Sequence, residues 1–329
     1  MEILSSNNYV STENMQQDFA GIKDAISLPS SGTAVEFQVG DILISNIRPY
    51  LKKIWLSDRN GGCSTDVLAL RAKNEKVDSS FLYCCLANDD FVSYVMSGAK
   101  GVKMPRGDKQ HILSYNLGVP SVQEQRRIAE LVSLLEKRIS AQSKIIEEQE
   151  TLLKSLADSL ISSQLANMAL NDCVVARSSA MKESELENSG PFPVFGASGL
   201  CGYSNEALEE SDSILVTKDG SGVGTCQYAT GAHSFLGTLC SLTAKEGVYL
   251  PYIYYALLNF NFASFKTGLA IPHIYFKDYG KAVIYCPSYD EQVRIASGLE
   301  KIEAKIKSDK ELLKQYQLQK EYLLSRMFI

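Results

Sequence analysis

Two long stretches of this 329-residue chain spell one pattern, and that duplication limits its architecture more than any other feature. Val77 to Ile139 is echoed by Val248 to Ile306, with Tyr83 matching Tyr254, Gly101 matching Gly268, Pro105 matching Pro272 and Pro120 matching Pro287. Glu124-Gln125 matches Glu291-Gln292, and Ile128-Ala129 matches Ile295-Ala296. From Gly101 onward the offset is 167, and before it 171, so one copy lacks four residues in a loop. The unit is longer than the roughly 20 to 50 residues of a solenoid repeat. It is a domain followed by a helix, told twice. The chain is therefore a pseudo-dimer, and its target is expected to be bipartite.

The length accommodates two domains with cores of their own plus connecting helices. With 45% hydrophobic and 22% charged residues the composition is globular. No apolar run approaches the ~20 residues that cross a bilayer, and no segment has the order of a signal peptide. A cytoplasmic protein with no membrane partner is expected. The eight cysteines include no CxxC pair and are joined by only three histidines, which argues for reduced, mostly buried thiols and against a metal site. The net charge of -5 argues against nonspecific coating of nucleic acid. Residues 36 to 110 carry eleven Lys or Arg against nine Asp or Glu, whereas residues 165 to 290 carry seven against twelve. Any contact with nucleic acid must then come from local loops, from the helices or from a partner.

The fold class expected is α+β: two tandem β-rich domains, each followed by a long helix, with the helices paired as an antiparallel coiled coil. The boundaries are 1–120, 121–166, 167–289 and 290–329. "ILISNI" after Gly40-Asp41, "DVLALRA" at 66 to 72 and "SILVT" at 213 to 217 read as strands. Ser79 to Met96 suits helical turns on either side of Asn88-Asp89-Asp90, and Pro251 stands where proline is tolerated at a helix start. After Pro120 a seam runs through Val132, Leu135, Ile139, Ile146, Leu153, Leu156 and Leu160. After Pro287 its counterpart runs through Ile295, Leu299, Ile302, Ile306, Leu313, Leu323 and Met327. Gln142 and Asp309, and Gln149 and Tyr316, break the two seams at equivalent points. A proline-free helix of ~40 residues is about 60 Å long, more than a small domain can cover, so the two are expected to pair.

Beside the duplication and the paired helices, the first half contains "YVSTENM" (9 to 15), "GDILISNIRPYLKKIW" (40 to 55), "GGCSTDVL" (61 to 68) and "GVKMPRGDK" (101 to 109). The second half contains "FPVFGASGLCGY" (192 to 203), "ILVTKDGSGVG" (214 to 224) and the repeat of the "EQ..IA" helix opening. On these motifs the chain resembles the specificity subunit of type I DNA restriction-modification systems. The resemblance implies two target-recognition domains that each read half of a split double-stranded DNA target, with the coiled coil as spacer ruler and docking platform. It implies a noncatalytic chain that binds no cofactor. Methyltransferase subunits, two in number, and restriction subunits would assemble on it and carry S-adenosylmethionine, ATP and Mg2+. The second copy is preceded by Leu170-Asn171-Asp172-Cys173, a lead-in that the first lacks, so the first domain is expected without its opening strand.

Candidate DNA-contacting residues follow. Ser45, Asn46, Arg48, Tyr50, Lys52 and Lys53 mix donors with an aromatic ring after a strand; arginine suits guanine, asparagine adenine and lysine phosphate. The competing reading is a solvated strand end that Pro49 forces into a turn. Lys103, Arg106, Lys109 and His111 form a cationic loop between glycines, and its counterpart holds Lys266, His273, Tyr275 and Lys277. Here the alternative is a connection whose glycine and proline only serve the turn. "KDGSGVG" matches no phosphate-binding loop and reads as a hairpin turn that offers Lys218 and Ser221. His233-Ser234 lacks a nucleophile elbow and reads as loop. The helix openings Glu124, Gln125, Arg127 and Glu291, Gln292, Arg294 are first-turn residues, and the resemblance implies that they dock methyltransferase subunits. A coiled-coil scaffold or orphan regulator that reads no DNA stays open as an alternative.

Overall fold

The computed structural model describes residues 4–29, 34–268 and 271–327. It divides into two compact units, Met1–Gln142 with Leu312–Ile329, and Ser143–Glu311.

The first unit contains β1 (Tyr9–Val10), β2 (Val35–Phe37), β3 (Ile42–Ser45), β4 (Ile54–Leu56), β5 (Gly61–Cys63) and β6 (Val67–Leu70). An antiparallel sheet runs β4-β3-β6, with Ile42 opposite Leu56 on one side and Leu70 on the other. A second small sheet runs β1-β5-β2. Every residue of β3 is buried because both of its faces are covered. Ile42 and Ile44 pack with Ile54, Leu68, Leu86, Phe91, Val95 and Ile112, while Leu43 packs with Val10, Met15, Phe37 and Trp55. A strand covered on both sides reads as a continuous apolar run, as "ILIS" does. Three helices follow: α1 (Ser79–Leu86), α2 (Asp89–Ser97) and α3 (Lys109–Leu113). Asn88 separates the first two by capping both. Its side-chain oxygen accepts the Phe91 N–H (2.9 Å) while its amide donates to the Cys85 carbonyl (2.7 Å). The long α4 (Val122–Ala157) then begins.

The second unit carries β7 (Met168–Ala169), α5 (Leu170–Cys173), β8 (Val174–Ser178), β9 (Phe192–Gly196), β10 (Gly199–Ser204), β11 (Ser213–Thr217), β12 (Cys226–Ala229), β13 (Ser234–Phe235) and β14 (Leu239–Ala244). Beyond these come α6 (Leu250–Leu258), α7 (Phe276–Tyr279), β15 (Val283–Ile284) and α8 (Tyr289–Met327). Its main sheet runs β12-β11-β14-β8, all antiparallel. Ile214 lies opposite Tyr228 as Ile42 lies opposite Leu56, so β11 and β12 repeat β3 and β4. β8 adds a fourth strand here, whereas among the described residues the sheet around β3 has three. "SILVT" is β11, and Pro251 sits in the first turn of α6, where its missing N–H leaves no helical bond unmade.

Within each unit α4 and α8 pair antiparallel. In the first, Leu324 packs against the cluster of Phe81, Ile128, Ala129 and Val132, and Lys320 meets Glu136 at 2.7 Å. In the second, the Gln149 amide donates to Asp309 (2.9 Å) and Lys310 pairs with Glu150 (2.6 Å). Val132, Leu135, Ile146, Leu153, Ile295, Leu299 and Ile306 of the expected seam are buried. Ile139, Leu156, Ile302, Leu313 and Leu323 are half-buried, and the Met327 side chain lies outside what is described. Leu160 departs from expectation: it is exposed, and Ala157 and Ile161 are buried instead. The helix widens into a π turn over Asp158–Ser162, and the extra residue in that turn rotates the inward face by one position.

Candidate nucleic-acid interface

In each unit the turn after the central strand is stitched to the glycine-proline loop by the same set of backbone hydrogen bonds. Arg48 N donates to Pro105 O (2.8 Å), and Gly220 N to Pro272 O (3.0 Å). Gly107 N donates to Asn46 O (3.0 Å), and Ile274 N to Lys218 O (2.9 Å). Lys100 and Arg106 exchange two bonds at 2.9 Å, as do Thr267 and His273. Asn46 N reaches Asp66 O (2.8 Å) where Lys218 N reaches Thr238 O (2.9 Å). Two segments about fifty residues apart in sequence thereby become one surface, and it is made twice.

On the first unit's copy Arg48, Tyr50, Lys103, Arg106 and Lys109 are exposed. Arg106 is held at 3.0 Å from Asp66, and Lys52 at 2.7 Å from Asp89. The Lys53 ammonium donates to the Thr12 carbonyl (2.6 Å), which ties the "YVSTENM" segment to the turn. Ser45 is buried and donates to Ile47 O (2.9 Å). Asn46 corrects the sequence reading: a side chain offered there to a base edge is only 9% exposed, and its Oδ1 has no partner among the described residues. Gly107 closes over it; a Cβ at that position would sit 2.9 Å from the Asn46 oxygen. His111 also faces the fold. Its ring stacks on Tyr94 at 4.1 Å, and its Nε2 donates to the Tyr94 carbonyl (2.8 Å).

Two residues the sequence reading passed over shape this loop. Asp108 caps α3 by accepting the Gln110 (2.9 Å) and His111 (3.2 Å) N–H groups, and it takes the Lys100 ammonium at 2.7 Å. The Lys100 hydrogen bond and then those two backbone donors hold its carboxyl down at about 2. The signal was an aspartate three residues before a histidine at a helix start.

On the second unit's copy Ser221, Lys266, Tyr275 and Lys277 are exposed. The Lys277 ammonium stands 5.2 Å over the Tyr275 ring, and that ring meets the His273 imidazole edge at 5.2 Å. Lys218 is half-buried, with its ammonium 3.7 Å from Asp219. "KDGSGVG" is a hairpin turn between β11 and β12, as expected. His233 and Ser234 are not loop. Both are fully buried, and the imidazole is fixed between Ser213 Oγ (2.8 Å) and Gly231 O (2.8 Å).

The helix openings separate into two kinds of residue. Glu124 with Arg127 (3.6 Å) and Glu291 with Arg294 (2.6 Å) form equivalent surface ion pairs one turn apart. Gln125 and Gln292, read from sequence as docking residues, are instead buried at 0% and 1% exposure. Gln125 accepts the Asp78 N–H (2.8 Å) and donates to Lys76 O and Pro120 O (2.8 Å each). Gln292 accepts the Tyr249 N–H (2.9 Å) and donates to Pro287 O (2.8 Å). They pin each long helix to its own domain, and a partner cannot reach them. The outer faces of the helices carry exposed apolar residues: Leu131, Leu134, Leu312, Leu318 and Tyr322 in the first unit, Ile145 and Leu152 in the second.

Burial pushes the Cys84, Cys85 and Cys173 thiols up to about 12, so they stay protonated. A cavity of about 740 Å³ in the second unit is walled by Tyr228, Tyr249, Tyr254, Tyr255, Glu300 and Glu303. Both Glu303 oxygens already accept tyrosine hydroxyls (3.3 and 2.7 Å), and no serine, cysteine or histidine lines it. Among the described residues no group of three or more His, Cys, Asp or Glu is placed to hold a metal ion, and no helix is long and apolar enough to cross a membrane.

A family model described as the type I restriction modification DNA specificity domain matches the chain twice, at residues 7–150 and 165–317. The specificity subunit of the type I restriction enzyme EcoDI from Escherichia coli is 27% identical over 131 residues, which is 40% of this chain. The match spans 28% of that relative's length. The crystal structure of a type I restriction-modification S subunit from M. genitalium superposes with a TM-score of 0.70 at 18% identity, covering 100% of this chain and 92% of that one. A chain from a study of complex assembly and conformational transition of the type I R-M system gives 0.59 at 19% identity, covering 97% and 90%. Both likenesses show the fold.

Proposed function

The chain belongs to the type I restriction modification DNA specificity domain family, and from that premise we propose that it is the DNA-reading subunit of a type I restriction-modification complex. The observation that carries the reading is the duplicated surface in which one set of backbone bonds joins the strand turn to the glycine-proline loop. On each copy exposed side chains of the kinds that contact DNA project from it: Arg48, Tyr50, Lys103 and Lys109 on one, Tyr275, Lys277 and Lys266 on the other. Each unit reads one half of a split duplex target, and the paired helices set the unread spacer. The chain is noncatalytic. Methyltransferase subunits supply S-adenosylmethionine chemistry, and restriction subunits supply ATP- and Mg2+-dependent cleavage. The exposed apolar residues of α4 and α8, flanked by the Glu124–Arg127 and Glu291–Arg294 pairs, are where the methyltransferase subunits dock.

The test is selection of random duplexes by the chain in complex with its methyltransferase subunits. Retained duplexes are expected to share two short blocks at a constant gap, with affinity falling as salt rises. Tight assembly that enriches no sequence would replace this reading with that of a scaffold, which the acidic excess of residues 165 to 290 would suit.

A further inference from the structure

Among the described residues four non-glycine side chains have φ in the left-handed region: Asp18 (54°), Phe19 (61°), Arg48 (50°) and Lys52 (54°). Such backbone is unfavourable for residues that carry a Cβ, least so for asparagine and aspartate such as Asp18. All four meet at the turn after β3. Asp18 N donates to Leu51 O (3.2 Å), Phe19 N donates to Lys52 O (2.9 Å), and the turn itself closes through Lys52 N to Pro49 O (2.8 Å).

The second unit builds the same turn without strain. Ser45 N to Lys53 O (3.0 Å) corresponds to Thr217 N to Thr225 O (2.9 Å), so Arg48 falls on Gly220 (φ 96°) and Lys52 on Gly224 (φ 91°). The architecture asks for glycine at both places. Gly220 makes the bond to the loop proline carbonyl that Arg48 makes, so the turn has no need of the arginine side chain. Lys52 has a return for its strain in the 2.7 Å pair with Asp89, and the Phe19 ring packs against the first unit's core. Arg48 has none. Its guanidinium is exposed and makes no hydrogen bond or ion pair among the described residues, while the neighbouring Arg106 is held by Asp66. A strained position whose side chain returns nothing to the fold points to a return from outside it.

We propose that Arg48 is the specificity-determining residue of the first unit, donating its two-pronged guanidinium to the major-groove edge of a guanine; this rests on the DNA-reading function proposed above. Lys103 and Lys109, also exposed, stand on ordinary backbone and carry the compact charge that suits phosphates. Lys52 and Lys53 position the turn.

The test uses the whole complex with its methyltransferase subunits and two variants, Arg48→Gly and Arg48→Lys, each scored by thermal midpoint and by selection from random duplexes. Arg48→Gly is expected to melt at or above the wild-type temperature. It should keep the sequence preference of one half-site while losing preference for guanine at one position of the other by about tenfold to a hundredfold. Arg48→Lys should retain affinity and lose that discrimination, because an ammonium lacks the planar fork. Four results would overturn the proposal: a lower melting point for the glycine variant, unchanged preference in both half-sites, a uniform loss of affinity with preference intact, or lost discrimination at a base other than guanine. A wild-type complex that selects no sequence would instead remove the reading on which the proposal stands.

Discussion

Replacing Gln125 by methionine keeps the volume of the side chain and removes its polar atoms. Three hydrogen bonds go with it, those to the Asp78 N–H, the Lys76 carbonyl and the Pro120 carbonyl, all at 2.8 Å around a residue with 0% exposure. A net value of about 1 kcal/mol per intramolecular bond, plus the cost of leaving buried groups unsatisfied, gives a loss of about 3 to 5 kcal/mol. For a unit of this size that corresponds to about 6 to 20 °C in melting temperature. Melting of a two-unit chain is not a single transition, so local hydrogen exchange is the better assay. The Asp78 amide reports directly, because the Gln125 side-chain oxygen is its acceptor. In Gln125→Met its protection should fall together with that of α1, while the Tyr249 amide, held by Gln292, keeps its own. Gln292→Met should do the reverse. If Asp78 stayed protected and the midpoint were unchanged while methyltransferase binding weakened, the glutamine would be a docking residue after all and the pinning argument would be wrong.

Three other perturbations test neighbouring steps. Asp309→Leu alone should weaken the helix pair of the second unit by about 1 to 3 kcal/mol, since Gln149 loses its acceptor in a buried seam, whereas Gln149→Leu with Asp309→Leu should recover the loss. Urea denaturation decides, and a single variant as stable as the double would show that the Gln149–Asp309 bond does not stabilise the helix pair. Asp108, with a folded pKa of about 2 against the usual 3.8, contributes stability that is complete above pH ~4 and is lost as pH falls from there toward 2. A carboxyl NMR titration should show Lys100→Met moving that pKa upward, and no movement would clear Lys100 of the cause. Inserting one heptad into both α4 and α8 lengthens each by about 10 Å. At ~3.4 Å per base pair this should widen the unread spacer by about three base pairs; modification mapping reads the gap, and an unchanged spacer rules out the ruler role.

Much of the fold was legible because repetition and apolar pattern are written in side-chain identity. The paired openings at Pro120 and Pro287, the break at Asn88 and the polar interruptions Gln149 and Asp309 could all be placed from sequence. Those last two meet across the seam because an antiparallel pair of equivalent helices brings the first break of one onto the second break of the other. What stayed hidden depends on backbone conformation. "IRPYLKK" and "DGSGVGT" share no residue at matched positions, yet they form one turn, because the equivalence lies in φ and in carbonyl partners rather than in side chains. Gln125 and Gln292 looked like surface polar residues, since sequence cannot show that three backbone groups wait for the first, and two backbone groups with the Cys286 thiol for the second, inside the fold. Leu160 was misplaced because a π turn shifts the helical face without any proline or glycine to announce it. Among the DNA-contact candidates, residue type picked out a turn and a loop that the fold joins by backbone hydrogen bonds. It did not separate Arg48 from Asn46, which differ in exposure rather than chemistry.

The most direct measurement is to co-express the chain with its methyltransferase subunits in a host that lacks the target modification and to map methylated bases across the genome. The account predicts methylation confined to a split motif with two specified blocks and one constant gap. Methylation without sequence preference, or a stable complex that methylates nothing, would contradict it.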